Sequence, residues 1–476
     1  MMKTLPLASN TPDLGDAFAG LPLSPAMQST LQQLGFERMT PIQAASLPLA
    51  LVGKDLIAQA KTGSGKTVAF ALPMLTMLNP RRFAVQGLVL CPTRELAEQV
   101  TQEIRRLARS EDNIKILTLC GGSQMRPQMS SLEHGAHIVV GTPGRIMDHL
   151  ERGSLNLEAL ALLVLDEADR MLDMGFFDDI ATVARACPVE RQTLLFSATY
   201  PEGIERLSKQ FLRNPQPVKL LEQHDDTKIR QRFYEVRDEQ RLHVVGQLLK
   251  HYRPVSTLAF CNTRQQCRDL LDVLRAEGVH ALALHGELEQ RERDQVLVQF
   301  SNRSCSVLVA TDVAARGLDI KELEAVINVD ITPDAEIHLH RIGRTGRADQ
   351  EGWAFSLVSG DEMGRLATIE KVHHFEATWH PLSELDSLSE KPLLPPMATL
   401  QILGGRKEKI RAGDVLGALT GEAGYAKEQV GKINVTEMST YVAVERGIAR
   451  EAVRRLSHGK IKGKKVRVHL LEERVG

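Results

Sequence analysis

The sequence predicts an α/β protein with two tandem domains, each built on a parallel sheet, followed by a small α+β domain. Three observations predict it. Short apolar runs alternate with helix-like segments through the first half. The alternation restarts after a proline-containing break. A basic tail then follows a β-α-β-β-α-β order. Near-continuous apolar strands separated by helices fit a parallel sheet covered on both faces, because both sides of each strand are buried. A chain of 476 residues has room for about three domains.

The elements follow in order. Residues 1–16 contain proline and leucine without a period and read as a loose lead-in. A first domain is expected over 17–216, with strands at Asp55–Ala58, Leu88–Leu90, Ile114–Leu117, His137–Val140, Leu162–Leu165 and Thr193–Phe196. Pro215, Pro217 and the polar run Glu222–Asp226 place a linker at 217–226. A second domain is expected over 227–385, with strands at Thr257–Phe260, Ala281–Leu284, Ser306–Val309 and Ala325–Val329. Leu393–Pro396 falls in a second linker, 386–397. The last domain, 398–476, has expected strands Thr399–Leu403, Val430–Val435, Tyr441–Val444 and Lys465–Leu470, and helices Ala412–Leu419 and Ile448–Leu456.

The net charge of -1 conceals an asymmetry. From Met397 onward there are 16 Lys+Arg against 9 Asp+Glu, a net of +7, while the preceding residues carry 43 against 51, a net of -8. A basic tail on an acidic body suits a polyanionic partner, although a solvated basic face has the same composition. Six scattered cysteines form no CxxC pair, so reduced buried thiols are expected rather than a disulfide framework or a metal site. No apolar stretch reaches the ~18 residues of a membrane span, and the N-terminus lacks the pattern of a signal peptide. A soluble, cytoplasmic protein is expected, without a membrane and without an evident obligate protein partner.

Three motifs carry chemistry. The segment Ala60–Thr67 follows a strand and opens a helix. Gly63 and Gly65 permit a turn whose N–H groups point at phosphate oxygens, and the helix N-terminus adds its positive end. Thr62 and Ser64 complete that loop, Lys66 neutralises outer phosphates, and the Thr67 hydroxyl suits Mg2+. Asp166 and Glu167 end the apolar run Leu162–Leu165, at the carboxyl end of a strand where open α/β sheets bind ligands. Asp166 suits Mg2+, usually through water, and Glu167 suits an attacking water. An isolated Asp-Glu pair is equally a helix-start signal. Arg344 and Arg347, within His340–Arg347, suit the spreading charge of a transferring phosphoryl group.

In this order the motifs resemble the DEAD-box RNA helicase family over nearly the whole chain. The resemblance also takes in Phe18 with Pro41-Ile42-Gln43, Pro92–Ala97, Gly121-Gly122, Thr142–Arg145, Ser197-Ala198-Thr199, Phe260–Arg264, Gln265 with Arg268, and Ala310–Asp319. It implies two RecA-like domains, ATP and Mg2+ as cofactors, and RNA as partner. It further implies that Gln43 reads adenine, Phe18 stacks near the base, and Asp319 contacts ribose. Arg344 and Arg347 would reach the terminal phosphate. Thr93, Arg94, Gly122, Thr142, Arg145, Thr263 and Thr311 would contact the RNA backbone. Asp169, Ser197 and Thr199 would couple hydrolysis to strand separation.

The tail resembles the RNA-binding domain of one branch of that family, through Leu403–Asp414, Gly431–Ile433, Tyr441–Arg446 and Gly459–Lys465. That implies an RRM-like fold, recognition of a 23S rRNA hairpin, and a role on large ribosomal subunit precursors. Tyr441 is the only aromatic of the expected third strand and the first strand has none, so a base-stacking platform is doubtful. Arg406, Lys407, Lys409, Arg411, Lys460, Lys462, Lys464 and Lys465 are the expected RNA contacts instead. The expected function is RNA-stimulated ATP hydrolysis coupled to local duplex unwinding. A general RNA chaperone without rRNA preference, a DNA translocase on the same core, and a scaffold that only clamps ATP are the rival readings.

Overall fold

The computed structural model describes residues 17–60, 64–110, 113–200, 202–219, 229–315, 323–346, 351–386 and 392–471. Described residues 17–219 form one compact unit and 229–471 belong to another.

The first unit is built on seven strands: β1 Leu56–Gln59, β2 Gly87–Leu90, β3 Ile116–Leu119, β4 Ile138–Gly141, β5 Leu162–Leu165, β6 Gln192–Ser197 and β7 Gln216–Lys219. Their order is β3-β4-β2-β5-β6-β1-β7, and every pair is parallel. Strand β5 shows why the apolar runs are continuous. Leu162 and Val164 pack into the cluster on one face, Leu163 and Leu165 into the cluster on the other. Each fully buried leucine contributes about 1.5–3 kcal/mol.

The expected domain boundary at 216 is corrected by β7, which falls at the start of the expected linker. Its Pro217 pairs beside Ile57. Proline lacks the N–H a central strand needs but is accepted at an edge, which β7 occupies. Strands β3 and β4 begin two and one residues later than expected.

The second unit contains β8 Ile229–Glu235, β9 Thr257–Cys261, β10 Ala281–Leu284, β11 Val307–Thr311, β12 Ala325–Asn328 and β13 Gly352–Val358. They form a parallel sheet in the order β10-β11-β9-β12-β13-β8. Strands β8 and β13 add to the four expected there. The second linker also needs correcting, because Leu393 packs in this domain's core and bridges Val279.

The tail follows on β14 Met397–Ile402, β15 Val430–Val435, β16 Thr440–Glu445 and β17 Val468–Leu471, an antiparallel sheet ordered β15-β16-β14-β17. The last strand starts three residues beyond the expected Lys465. Helix Ala412–Gly417 continues as a π turn, Ala418–Glu422, and the second helix is Ala449–His458. Leu400, Ile402, Val442 and Val444 point to the helices and form the core. By strand alternation, Thr399, Gln401, Tyr441 and Ala443 lie on the opposite face, and all four are buried.

The second parallel-sheet domain contacts that face. Thr399 Oγ1 accepts from Asn302 Nδ2 at 3.2 Å and pairs with Ser304 Oγ at 2.7 Å. Asn434 Nδ2 donates to Asn302 Oδ1 at 3.3 Å, and Lys432 Nζ donates to Ser301 Oγ at 3.4 Å. The sheet face that an RRM ordinarily offers to bases is thus engaged within the chain.

Candidate nucleotide and RNA sites

The phosphate loop runs from the end of β1 into helix Lys66–Met77. Gly65 caps that helix at φ 93°, a left-handed conformation open to glycine. A Cβ there would also collide with Gln43 Nε2. Gln43 is buried and braces the loop. Its Oε1 accepts from Thr40 N at 2.9 Å, and its Nε2 donates to Gly65 O at 3.0 Å. Thr40 Oγ1 donates to Ser64 O at 2.7 Å. The residue expected to read adenine therefore first shapes the phosphate turn. Phe18 is buried edge-on to Phe36, 6.1 Å between centroids. Thr67 is half-buried on the first turn of the helix. Thr62 and Gly63 lie outside the described residues, as do Asp319 and Arg347.

Lys66 Nζ stands 4.0 Å from Asp166 Oδ1, with side chains 6% and 4% exposed. Both atoms are buried without a hydrogen-bond partner among the described residues. Burying charge without hydrogen bonds is costly; a phosphate oxygen would suit the Lys66 ammonium, and a hydrated Mg2+ would suit the Asp166 carboxylate. Burial pushes the Asp166 carboxyl up to about 6, opposed by Lys66 and reinforced by Glu167. Among the described residues no group of three His, Cys, Asp or Glu could cage a metal. That is compatible with Mg2+, which keeps several waters and needs only one or two carboxylates beside phosphate.

Glu167 follows at φ 52°, ψ 52° and caps the short helix Ala168–Asp173. Its Oε2 accepts from Arg170 Nη1 at 2.7 Å. Asp169 ties this turn to the end of β6. Its Oδ2 accepts from Ala198 N at 3.0 Å, Thr199 N at 2.9 Å and Thr199 Oγ1 at 3.1 Å. Ser197 Oγ accepts from Asp169 N at 3.3 Å and donates to Thr199 O at 2.7 Å. The three residues expected to couple hydrolysis to strand separation are thus one bonded cluster.

The expected RNA contacts of this domain sit beyond the carboxyl ends of β2, β3 and β4. Thr93 caps helix Arg94–Leu107, accepting from Leu96 N at 3.3 Å, and Arg94 pairs with Glu98 at 3.0 Å. Gly122 has φ 73°. Thr142 caps helix Pro143–Glu151, whose Arg145 donates to Ser123 O at 3.1 Å and Gln128 Oε1 at 2.9 Å.

In the second domain Thr263 caps helix Arg264–Ala276, accepting from Gln266 N at 3.2 Å, and Thr311 ends β11. Arg344 is buried. Arg341 is the residue the motif's spacing failed to single out. It is 1% exposed and binds Asp312 through Nε and Nη2, both at 2.7 Å. It also donates to Asp330 O at 2.8 Å and Asn262 Oδ1 at 2.9 Å. One guanidinium thereby joins the segments after β9, β11 and β12.

In the tail all eight expected basic contacts are exposed. Lys409 and Lys462 have φ 62° and 52°, and Lys462 Nζ donates to Lys409 O at 2.6 Å, tying their two loops together.

A phosphate loop with an Asp-Glu pair on one parallel sheet, and an arginine motif on a second, define the core of a two-domain nucleotide-driven helicase. Family models agree. The DEAD/DEAH box helicase model matches residues 40–207, the helicase conserved C-terminal domain 240–349, and the DbpA RNA binding domain 399–470. The chain is 50% identical over 450 residues to the ATP-dependent RNA helicase DbpA of Escherichia coli K12, covering 94% of this chain and 98% of that one. It is 42% identical over 355 residues to the DEAD-box helicase CshA of Geobacillus kaustophilus, covering 74% and 76%. Saccharomyces cerevisiae Dbp5 bound to RNA and ADP BeF3 superposes with a TM-score of 0.72 at 32% identity, over 78% of this chain and 97% of that one. The chain belongs to the DEAD-box ATP-dependent RNA helicases, with two RecA-like domains and a tail of the DbpA type.

Proposed function

We propose that this helicase hydrolyses ATP with Mg2+ on structured RNA, and that its tail directs it to a 23S rRNA hairpin during large ribosomal subunit assembly in the cytoplasm. The observation that carries the targeting is the tail: a DbpA-type domain whose eight expected basic contacts are exposed outside its strands and helices, while its sheet face is bonded to the second core domain. Loop contacts leave the sheet face out of RNA binding and make affinity depend on salt.

In the first domain Ser64, Gly65, Lys66 and Thr67 hold the phosphates, with Thr62 and Gly63. Bound Mg2+ would neutralise phosphate charge, with Asp166 and Thr67 facing it. Glu167 orients the attacking water and accepts its proton. Arg344 and Arg347 stabilise the charge that spreads over the terminal phosphoryl oxygens. Gln43 and Phe18 serve the base, and Asp319 serves ribose. Thr93, Arg94, Gly122, Thr142, Arg145, Thr263 and Thr311 hold the RNA backbone. RNA and ATP each favour the closed arrangement of the core, so each tightens binding of the other. Asp169, Ser197 and Thr199 link the nucleotide's state to the grip on RNA.

The test is steady-state ATPase of the full chain with a 23S rRNA hairpin, a scrambled RNA of equal length, matched DNA, or no nucleic acid. The proposal expects the hairpin to saturate stimulation at the lowest concentration and DNA to give none. Equal stimulation by both RNAs would reduce the protein to a general RNA remodeller. Equal stimulation by DNA would indicate a translocase.

A further inference from the structure

Beside the nucleotide site lies a buried charge that the mechanism above leaves unused. Arg170 and Glu167 are 8% and 3% exposed at their side chains and 2.7 Å apart. An exposed pair three residues apart on a helix contributes little. An enclosed one is different, because water screens it little and its geometry is held by the surrounding packing. Glu167 also has a fixed backbone. Its left-handed φ of 52° is a strained conformation for a residue other than glycine, and it leads the chain from the strand into helix Ala168–Asp173.

That turn is anchored independently. Asp169 Oδ1 accepts from Arg170 N at 3.0 Å, and its other oxygen accepts three hydrogen bonds from Ala198 and Thr199. Arg170 therefore projects from a turn pinned to the end of β6, and its guanidinium fixes one oxygen of the Glu167 carboxylate. Lys66 faces Asp166, and the adjoining Asp166 carboxylate repels that of Glu167.

We propose that Arg170 is a positioning residue, holding the Glu167 carboxylate in the orientation that serves the attacking water. The proposal rests on the reading of Glu167 as the water-orienting group. Arginine suits this role because its planar guanidinium holds a carboxylate by a directed hydrogen bond, whereas lysine supplies the charge without the rigid geometry. Ion pair and water-orienting group share one short turn, so no hinge lies between them.

The experiment uses the full chain with saturating RNA and measures kcat, KM for ATP, and affinity for a fluorescent ADP analogue. The variants are R170M, R170K, E167Q and E167Q/R170M, with melting temperature as a folding control. Displacing a group by about 1 Å costs on the order of 100-fold, so R170M should lose 10- to 100-fold in kcat while KM and ADP affinity stay within about twofold. R170K should recover part of the loss. In single-turnover measurements, R170M should add no further loss to E167Q. Wild-type kcat in R170M would overturn the proposal, as would faster turnover without RNA, which would make the arginine a restraint on Glu167. Parallel loss of ADP affinity, or a further loss on top of E167Q, would assign Arg170 to scaffolding. If R170M melts early, R170K at wild-type melting temperature decides by the same kcat criterion. If E167Q itself turns over normally, the underlying reading of Glu167 fails, separately from the role of Arg170.

Discussion

The two RecA-like domains share a fold, and Lys66 with Asp166 in the first and Arg341 in the second show two opposite fates of buried charge. In the first, Lys66 Nζ and Asp166 Oδ1 are buried and lack hydrogen-bond partners among the described residues. In the second, Arg341 is buried with its donors on Asp312, Asp330 and Asn262. Arg241 is likewise bonded to Asp238, Glu362 and the Val329 carbonyl. Arg341 and Arg241, whose hydrogen bonds are met by carboxylates and carbonyls of their own domain, hold its frame. Lys66 and Asp166, whose bonds are unmet, mark where a polar ligand would complete the structure. The contrast separates residues whose loss should cost function from those whose loss should cost stability.

The largest effect should follow from Lys66→Ala. Removing the ammonium proposed to face the phosphates should weaken ATP binding on the order of 100-fold, in keeping with the strength of charge-assisted bonds in a low-dielectric site. Melting of the nucleotide-free protein should change far less than in Arg341→Met, because Lys66 Nζ makes no hydrogen bond among the described residues that its loss would break. A nucleotide titration with paired melting curves would show it, and a large loss of stability would break the comparison.

Arg341→Met should do the reverse. It strips Asp312 of two bonds and should destabilise the second domain by about 3–5 kcal/mol, read by chemical denaturation. ADP affinity in the first domain should survive wherever that domain remains folded.

A third effect concerns pH. His338 is buried, 6.4 Å from the rings of both Phe233 and Phe375, and burial with Arg341 and His373 nearby lowers its pKa to about 3. A histidine whose folded pKa is depressed stabilises the protein at pH above its unfolded value of about 6.5, and that contribution is lost as pH falls from there toward 3. The second domain should therefore weaken across that window. His338→Phe should flatten the melting temperature against pH. An unchanged slope would remove His338 as its source.

The smallest effect lies in the tail. Lys464→Ala with Lys465→Ala should lower affinity for the rRNA hairpin, and should reduce the salt slope by about 1.4 if both side chains touch phosphate. An unchanged slope would move the RNA contact to the loop of Arg406–Arg411.

Much of this is legible in the sequence, for reasons the same contrast makes clear. Strands buried on both faces, such as Leu162–Leu165 and Ala281–Leu284, fall where their apolar runs predict. Two edge strands do not: β7 contains Pro217, and β8 carries Arg230, Gln231 and Arg232 on a half-buried surface, which blurs any period; the interior strand β13, Gly352–Val358, is likewise not among the expected strands. The Gly63–Thr67 run is legible because it stands between a strand and a helix, and the Asp-Glu pair, which alone could be a helix start, is legible by the company of that run. Arg170 and Arg341 are not, because an arginine on a helix carries no mark of burial. Arg341 and Arg344 differ by one helical turn, and only packing decides which closes the frame. The bracing role of Gln43 depends on Gly65, 22 residues away, a pairing that no local spacing reveals.

The central proposal is that the first domain holds the phosphates and that guanidinium groups of the second are needed for hydrolysis. It is tested most directly by replacing Arg344 and Arg347 with alanine together and measuring RNA-stimulated turnover beside ADP affinity. Nucleotide affinity should stay within about threefold of wild type while turnover falls by ~10³-fold or more, the scale at which an arginine supplied to a phosphoryl-transfer site acts. Turnover at the wild-type rate would contradict it.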